Sequence, residues 1–402
     1  MIPVSEAIRI VQEQTHRLAA EQVELCDALG RVLAEDVFAD SDLPPFDRAQ
    51  MDGYAVRFED TQQSPARLRI VGESAAGKGW HGELKAGEAV RIMTGAPVPA
   101  GADSVQQVEL TRELDQQALV LIEKPTRAGQ FIVRRASEVR ERERVVAAGE
   151  EVNAAKMAVL ASFGYARVRV GSRPRVCVLA TGTELVRVEE RPGPDQIRDS
   201  NSYSLGAYAQ AAGARVERLP LAGDDLELLQ REIREAAARS DVLVLSGGVS
   251  MGIYDFTKAA LRELNAEVFF ERVSLRPGKP TVFARLDRTL VFGLPGNPVS
   301  VSVTFNLFAR TALRLMQGAR AFGLEEGHAV LARSVKGSLE RESYLPAELV
   351  TDEQGQLLAQ PLKWGGSSDF VAFARATALI NVPEGRDAIE AGESVRFVRL
   401  PV

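Results

Sequence analysis

Three short glycine-rich segments carry the residues best suited to chemistry: Thr181-Gly182-Thr183-Glu184-Leu185, Ser246-Gly247-Gly248-Val249-Ser250-Met251-Gly252 and Leu294-Pro295-Gly296-Asn297-Pro298. Each adjoins a short apolar run that reads as a strand. Glycine lets a backbone approach a ligand closely, and free N–H groups at helix starts attract phosphate. In an open parallel sheet, loops at the carboxyl ends of strands line one shared crevice. Singly, each segment reads equally well as a plain turn. Together they predict an anionic ligand held by Thr181, Gly182, Ser246, Gly247, Gly248, Ser250, Pro295, Gly296, Asn297 and Pro298.

A fourth segment, Glu271-Arg272-Val273-Ser274-Leu275-Arg276-Pro277-Gly278-Lys279-Pro280, places three cations and one anion in ten residues. The chain around it is net acidic, at −6, and holds eight lysines against 41 arginines. A lysine kept at position 279 in an arginine-rich chain fits a compact point charge, which a guanidinium does not supply. Surface cations on a turn are the bland alternative. Asp255 follows the second glycine loop, and Asp224 and Asp225 open the preceding helical stretch. A carboxylate beside a phosphate pocket points to magnesium, which takes one or two carboxylates and substrate oxygens. All three aspartates are also good helix N-caps.

The elements that would position these groups follow from periodicity. From residue 175 the pattern alternates strand and helix: strands at 176–180, 215–219 and 242–245, helices at 202–212, 225–239 and 256–264. That alternation predicts a doubly wound, mostly parallel α/β sheet. A long helix from 298 to about 316 closes the block, with Asn297 as cap, Pro298 in its first turn and Gly318 past its end. Before the block, a helix with Ser5 as N-cap and a helix over 152–163 flank a stretch of short β-like runs at 68–71, 89–92, 119–122 and 131–133. This reads as a small β domain inserted within a small helical one. Runs at 329–332, 347–350, 357–359, 378–382 and 394–399 predict a compact C-terminal β-barrel or sandwich. The charged run from 138 to 144 reads as a solvated face.

Composition bounds the rest. At about 150 residues per domain, 402 residues make two to four domains. The acidic balance, 55 against 49, disfavours a general nucleic-acid binder. Cys26 and Cys177 have no CxxC partner, and His16, His81 and His328 have no metal-ligand spacing. The N-terminus reads as an amphipathic helix, not a signal peptide. The apolar stretch 290–309 contains Pro295, Gly296, Asn297 and Pro298 and does not read as a membrane span. A cytoplasmic location is expected, with no membrane and no nucleic-acid partner.

Two N-terminal stretches, LPPFDRAQMDGYAV from Leu43 and RIMTGAPVPAGAD from Arg91, are turn-rich and poor in reactive side chains; Asp52-Gly53 by itself says hairpin turn. With PRVCVLATGTELV, IRDSN, SGGVSMGIYDF, RPGKP, LPGNPVS and GGSSDF, they nevertheless form an ordered set. On these residues the chain resembles the molybdopterin molybdenumtransferases, the MoeA family, and the E domain of gephyrin.

The resemblance implies four domains: a helical one from 1–42 and 137–171, an inserted β domain at 43–136, a MogA-like α/β domain at 172–320 and a C-terminal β-barrel at 321–402. It implies insertion of molybdate into adenylylated molybdopterin, with magnesium-dependent hydrolysis of the adenylyl anhydride. It also implies an elongated homodimer with shared clefts and a MogA-like adenylyltransferase partner. On that reading Asp52, Thr94 and Gly95 lie on the partner side of the cleft. Glu184, Asp224 and Asp255 surround phosphate and magnesium, Arg272, Arg276 and Lys279 supply positive charge, and Ser367 helps hold molybdate.

The chain departs from the family pattern at several points. Where the family carries Gly-Glu-Asp it has Ser137-Glu138-Val139; Gly-Asp-Glu-Leu reads Gly182-Thr183-Glu184-Leu185, and Gly-Asp-Tyr-Asp reads Gly252-Ile253-Tyr254-Asp255. Two customary lysines are Arg272 and Arg276. The lost carboxylate at Val139 favours one alternative to an active molybdate enzyme, a binding or scaffold protein without turnover; a related enzyme handling tungstate or a modified pterin is the other, since molybdate and tungstate are tetrahedral dianions of similar size.

Overall fold

Val242, Leu243, Val244 and Leu245 offer nothing polar to water on either side, so a strand built from them must be covered on both faces. The computed structural model, which describes residues 1–223, 225–248 and 256–401, places them at the centre of a six-stranded sheet. The strand order is Arg215–Arg218, Arg175–Ala180, Val242–Ser246, Thr289–Leu294, Val282–Leu286, Glu267–Phe270. The first four run parallel, Val282–Leu286 is antiparallel to them, and Glu267–Phe270 is antiparallel to Val282–Leu286 in turn. Side chains alternate along the central strand. Val242 and Val244 join one buried cluster with Leu205, Ala209 and Val299, while Leu243 and Leu245 join another with Leu229, Ile233 and Leu261. Two clusters on opposite faces of one sheet are what a doubly wound fold requires.

The helices keep most of the expected bounds. Leu226–Arg239 is capped by Asp225, whose carboxylate accepts the Leu228 N–H at 2.9 Å. Asn201–Ala211 ends at Gly213 (φ +90°). Two expectations need correction. The first helix spans Val4–Gln14, so Ser5 lies inside it and Pro3 occupies the cap without a side-chain bond; proline's fixed φ suits that junction. The closing helix is not uniform: Pro298–Thr304 and Arg310–Met316 are joined by a π turn, Phe305–Ala309.

Five strands close into a C-terminal barrel. Glu342–Thr351 pairs with both Leu357–Pro361 and Ala378–Val382, and Glu326–Leu331 with both Leu357–Pro361 and Ser394–Arg399. Ala378–Val382 against Ser394–Arg399 completes the circle. A two-residue strand, Leu275–Arg276, pairs in parallel with Glu342 and Ser343. It ties the cationic 271–280 segment to the barrel.

The chain divides into two compact units: Met1–Glu35, Ala148–Ala154 and Arg167–Val402 in one, Asp36–Ala147 and Ala155–Ala166 in the other. The second is built on a six-stranded sheet ordered Ser104–Gln107, Gly53–Val56, Glu88–Ile92, Ala66–Ser74, Leu119–Ile122, Thr111–Leu114. Gly53 therefore opens a buried strand and is not the tip of a hairpin. A Cβ there would fall 1.9 Å from the Gln106 carbonyl oxygen, which accounts for glycine.

Candidate active site

At the carboxyl end of Val242–Ser246 the chain must turn without colliding with the loop beside it. Gly247 (φ +95°) and Gly248 (φ +62°) both adopt left-handed conformations that disfavour a Cβ. A Cβ on Gly247 would lie 2.4 Å from the Thr181 carbonyl oxygen, and one on Gly248 2.6 Å from Thr257 Oγ1. The first and second glycine loops are thus packed backbone to backbone, and Thr181 N–H donates to the Ser246 carbonyl at 2.9 Å. The third loop joins them: Gly247 N–H donates to the Leu294 carbonyl at 3.1 Å. Thr181, Gly182, Ser246, Gly247, Gly248 and Gly296 belong to this crevice. Ser250, Asp224 and Asp255 lie outside the described residues, as does the Ile253 departure.

Beside the crevice a cleft of about 640 Å³ opens between the 276–280 turn, the start of the closing helix and the barrel. Arg276, Lys279, Pro295, Asn297 and Ser367 line it, as do Ser300, Lys336, Arg341 and Trp364, which the sequence reading did not single out. Four cations and no carboxylate line it among the described residues. Arg276 Nη1 donates to the Gly337 carbonyl at 2.8 Å, which holds the turn against the two-stranded antiparallel ribbon of Val335–Ser338 and Arg386–Ile389. Among the described residues, Lys279, Lys336 and Arg341 have no carboxylate within ion-pair distance. Such charges favour an oxyanion.

Ser367 performs two tasks. Its carbonyl accepts the Val299 N–H at 3.0 Å, closing the helix start, and its Oγ accepts from Asn297 Nδ2 at 2.9 Å. Asn297 sits at the cap position as expected but spends its side chain on Ser367, not on the helix. Asp369 secures the same turn, accepting from Gly365 N–H at 2.8 Å and Ala372 N–H at 3.1 Å. Those backbone bonds hold its carboxyl below the ordinary carboxylate value.

In the other unit, Asp52 and Thr94 are direct partners. Asp52 Oδ1 accepts from both the Thr94 N–H and hydroxyl, each at 2.7 Å, and these bonds lower its pKa. Gly95 N–H donates to the Ala49 carbonyl at 2.8 Å. Val139 exchanges backbone bonds with Leu43, at 2.8 and 3.1 Å, and its neighbours from 140 to 144 are solvated as expected. Arg272 and Glu184 are exposed and do not line the cleft; Pro298 occupies the first turn of the closing helix. No cluster of three His, Cys, Asp or Glu side chains suited to a metal occurs among the described residues. No helix is long and apolar enough to cross a membrane among them.

The match to known proteins covers this whole arrangement. Residues 2–164 match the MoeA N-terminal region (domain I and II), 177–315 a probable molybdopterin binding domain, and 328–400 the MoeA C-terminal region (domain IV). A curated relative, the molybdopterin molybdenumtransferase of Bacillus subtilis, is 35% identical across 99% of this chain and 94% of its own length. The chain belongs to the MoeA family. A molybdopterin molybdenumtransferase of Staphylococcus aureus is 33% identical over 99% of the chain and 95% of that protein. A molybdopterin biosynthesis MoeA structure from Pyrococcus horikoshii OT3 superposes with a TM-score of 0.85 at 28% identity, over all of both chains. MoeA-family membership therefore extends to the doubly wound domain, the inserted β unit and the closed C-terminal barrel together.

Proposed function

We propose that this molybdopterin molybdenumtransferase, a transferase of molybdenum cofactor biosynthesis, binds molybdate in the cleft formed by the 276–280 turn, the Asn297–Ser300 helix start and the barrel. The observation that carries the reading is the lining: Arg276, Lys279, Lys336 and Arg341 with no carboxylate among the described residues. A tetrahedral dianion is matched there by point charges and by the hydroxyls of Ser300 and Ser367. The adjoining glycine crevice takes the phosphate of adenylylated molybdopterin on backbone N–H groups. Attack of water on the adenylyl phosphorus releases AMP, and the leaving molybdopterin phosphate carries the new negative charge. Preorganised cations stabilise that charge where water would have to reorganise. The dithiolene, entering as two thiols, then displaces one oxide of molybdate, which leaves as water with the two thiol protons.

The finer parts of the reading are of the same kind. Asp255, Asp224 and Glu184 would hold magnesium at the phosphate, where it would neutralise phosphate charge; the described residues alone supply no complete ligand set. A homodimer would bring Asp52, Thr94 and Gly95 to the partner's cleft. A MogA-like adenylyltransferase would supply the substrate in the cytoplasm. The four-domain division at 1–42 with 137–171, 43–136, 172–320 and 321–402 belongs to this proposal.

The test is incubation with adenylylated molybdopterin, magnesium and molybdate, reading AMP release and reconstitution of an apo-molybdoenzyme. Wild type should yield both. Lys279→Ala should lose about 100-fold in kcat/KM, the scale of one preorganised electrostatic contact. Absence of AMP release by wild type overturns the reading.

A further inference from the structure

Asn201 opens the helix Asn201–Ala211 and touches both the Ser246 side chain of the second glycine loop and the backbone of the third. Its Nδ2 donates to Ser246 Oγ at 2.9 Å and to the Gly296 carbonyl at 2.7 Å. The orientation of the amide is fixed by chemistry: a carbonyl oxygen only accepts, so the atom facing Gly296 must be the NH₂ group. Both of its protons are then spent. The other amide atom, Oδ1, is buried with no hydrogen-bond partner among the described residues. An orphaned buried acceptor destabilises a fold, so its retention calls for a gain elsewhere.

We propose that Asn201 is a positioning residue that sets the donor direction of Ser246 and locks the ligand-facing loops into one hydrogen-bonded arc. This rests on the proposed function for what the arc presents, but not for the arc itself. Because an NH₂ group only donates, Ser246 Oγ accepts from Asn201, and its own proton is left for another acceptor. Ser246 is 2% exposed, so the direction of that proton is governed by the Asn201 bond and not by bulk water. The arc continues from the Gly296 carbonyl to the next residue, Asn297, and from Asn297 Nδ2 to Ser367 Oγ at 2.9 Å. At its other end the Ser246 carbonyl accepts the Thr181 N–H at 2.9 Å. Asn201 thus adds a side-chain bridge between the second and third loops beside the direct Gly247–Leu294 bond, in a chain of contacts that runs from Thr181 to Ser367. Asp199, 5% exposed, in turn fixes the helix start by accepting the Ser202 N–H at 3.0 Å.

The account separates positioning from mere stability. In Asn201→Ala, Ser246 is free to turn its proton toward the vacated space, and AMP release should fall about 10- to 100-fold in kcat/KM. Ser246→Ala should lose a similar factor. The double variant should be no more than about 3-fold worse than the poorer single, because the two residues act through one bond. Losses that multiply, or a wild-type kcat/KM in Asn201→Ala, overturn the proposal.

Asn201→Asp keeps the size and reverses the chemistry, placing an acceptor against the Gly296 carbonyl. It should lose at least as much, and wild-type turnover in it overturns the proposal even where Asn201→Ala fails to fold. Amide hydrogen exchange at Gly247 and Asn297 needs no substrate and should quicken in the folded variants; unchanged exchange there overturns the arc. Wild-type protein without AMP release would instead sink the proposed function, leaving the exchange result to decide the arc.

Discussion

Lys279 and Lys336 show how a single residue can be legible or hidden. Lys279 stood out because lysine is scarce in this chain, and the cleft places it among three other cations. Lys336, Arg341, Ser300 and Trp364 gave no such signal. Their place in the cleft depends on the barrel packing beside the 276–280 turn, which residue types cannot announce. The two cysteines differ in the same way. Cys177 is buried, and desolvation together with the nearby Glu217 carboxylate raises its thiol pKa, whereas Cys26 is exposed. A thiol-specific reagent near pH 8 should label one cysteine in native protein and two after denaturation; two in the native state would contradict the packing of the central sheet.

Asp241 offers a pH test. Burial opposes its ionisation, but two Arg175 guanidinium bonds, at 3.2 and 2.9 Å, and an Arg175 N–H at 2.8 Å outweigh it, so its pKa lies below the ordinary 3.8. A carboxylate with a depressed folded pKa stabilises above its unfolded pKa, and that stabilisation is lost as pH falls through the folded value. Asp241→Asn should cost about 1–3 kcal/mol at pH 7 and progressively less below pH 4, read from urea melts at each pH. A pH-independent deficit would contradict this. Val139 tests a departure from the family pattern. If it has cost a magnesium ligand, Val139→Asp should lower the magnesium concentration for half-maximal AMP release; no change would place position 139 outside the site.

At the scale of elements, the α/β alternation was readable because buried parallel strands are continuous apolar runs and helices keep a 3.6 period. The strands Val282–Leu286 and Glu267–Phe270 were missed, since Glu267 and Arg285 break the apolar run and the pair lies antiparallel at the sheet edge. The π turn at Phe305–Ala309 was also invisible, because one extra residue in a turn barely disturbs periodicity. Gly53 is the instructive error. Asp-Gly chemistry favours a hairpin turn, but the close Gln106 carbonyl determines the residue from the neighbouring strand. Gly53→Ala should therefore destabilise the inserted unit by about 1–3 kcal/mol, the usual cost of overpacking. A melting curve matching wild type would restore the turn reading.

At the scale of the whole molecule, the three matched family regions follow one another along the chain in the order of the motifs that carry the resemblance. The inserted unit interrupts the larger one in sequence, and Asp52 with Thr94 belongs to the former while every cleft-lining residue belongs to the latter. The proposed homodimer, in which Asp52 and Thr94 would complete the partner's site, accounts for this separation. Mixing an Asp52→Ala protein with an Asp255→Ala protein under subunit exchange should then restore activity at about a quarter of the sites. A fully active monomer by light scattering would contradict it.

The central claim is that molybdate sits in the cationic cleft, and the measurement that reaches it most directly is anomalous diffraction at the molybdenum edge from crystals grown with molybdate. The account predicts a peak inside the cleft, within hydrogen-bonding reach of the Lys279 ammonium and the Ser367 hydroxyl, and lost in Lys279→Ala crystals. A peak outside the cleft, with the cleft empty at the same molybdate concentration, would contradict it.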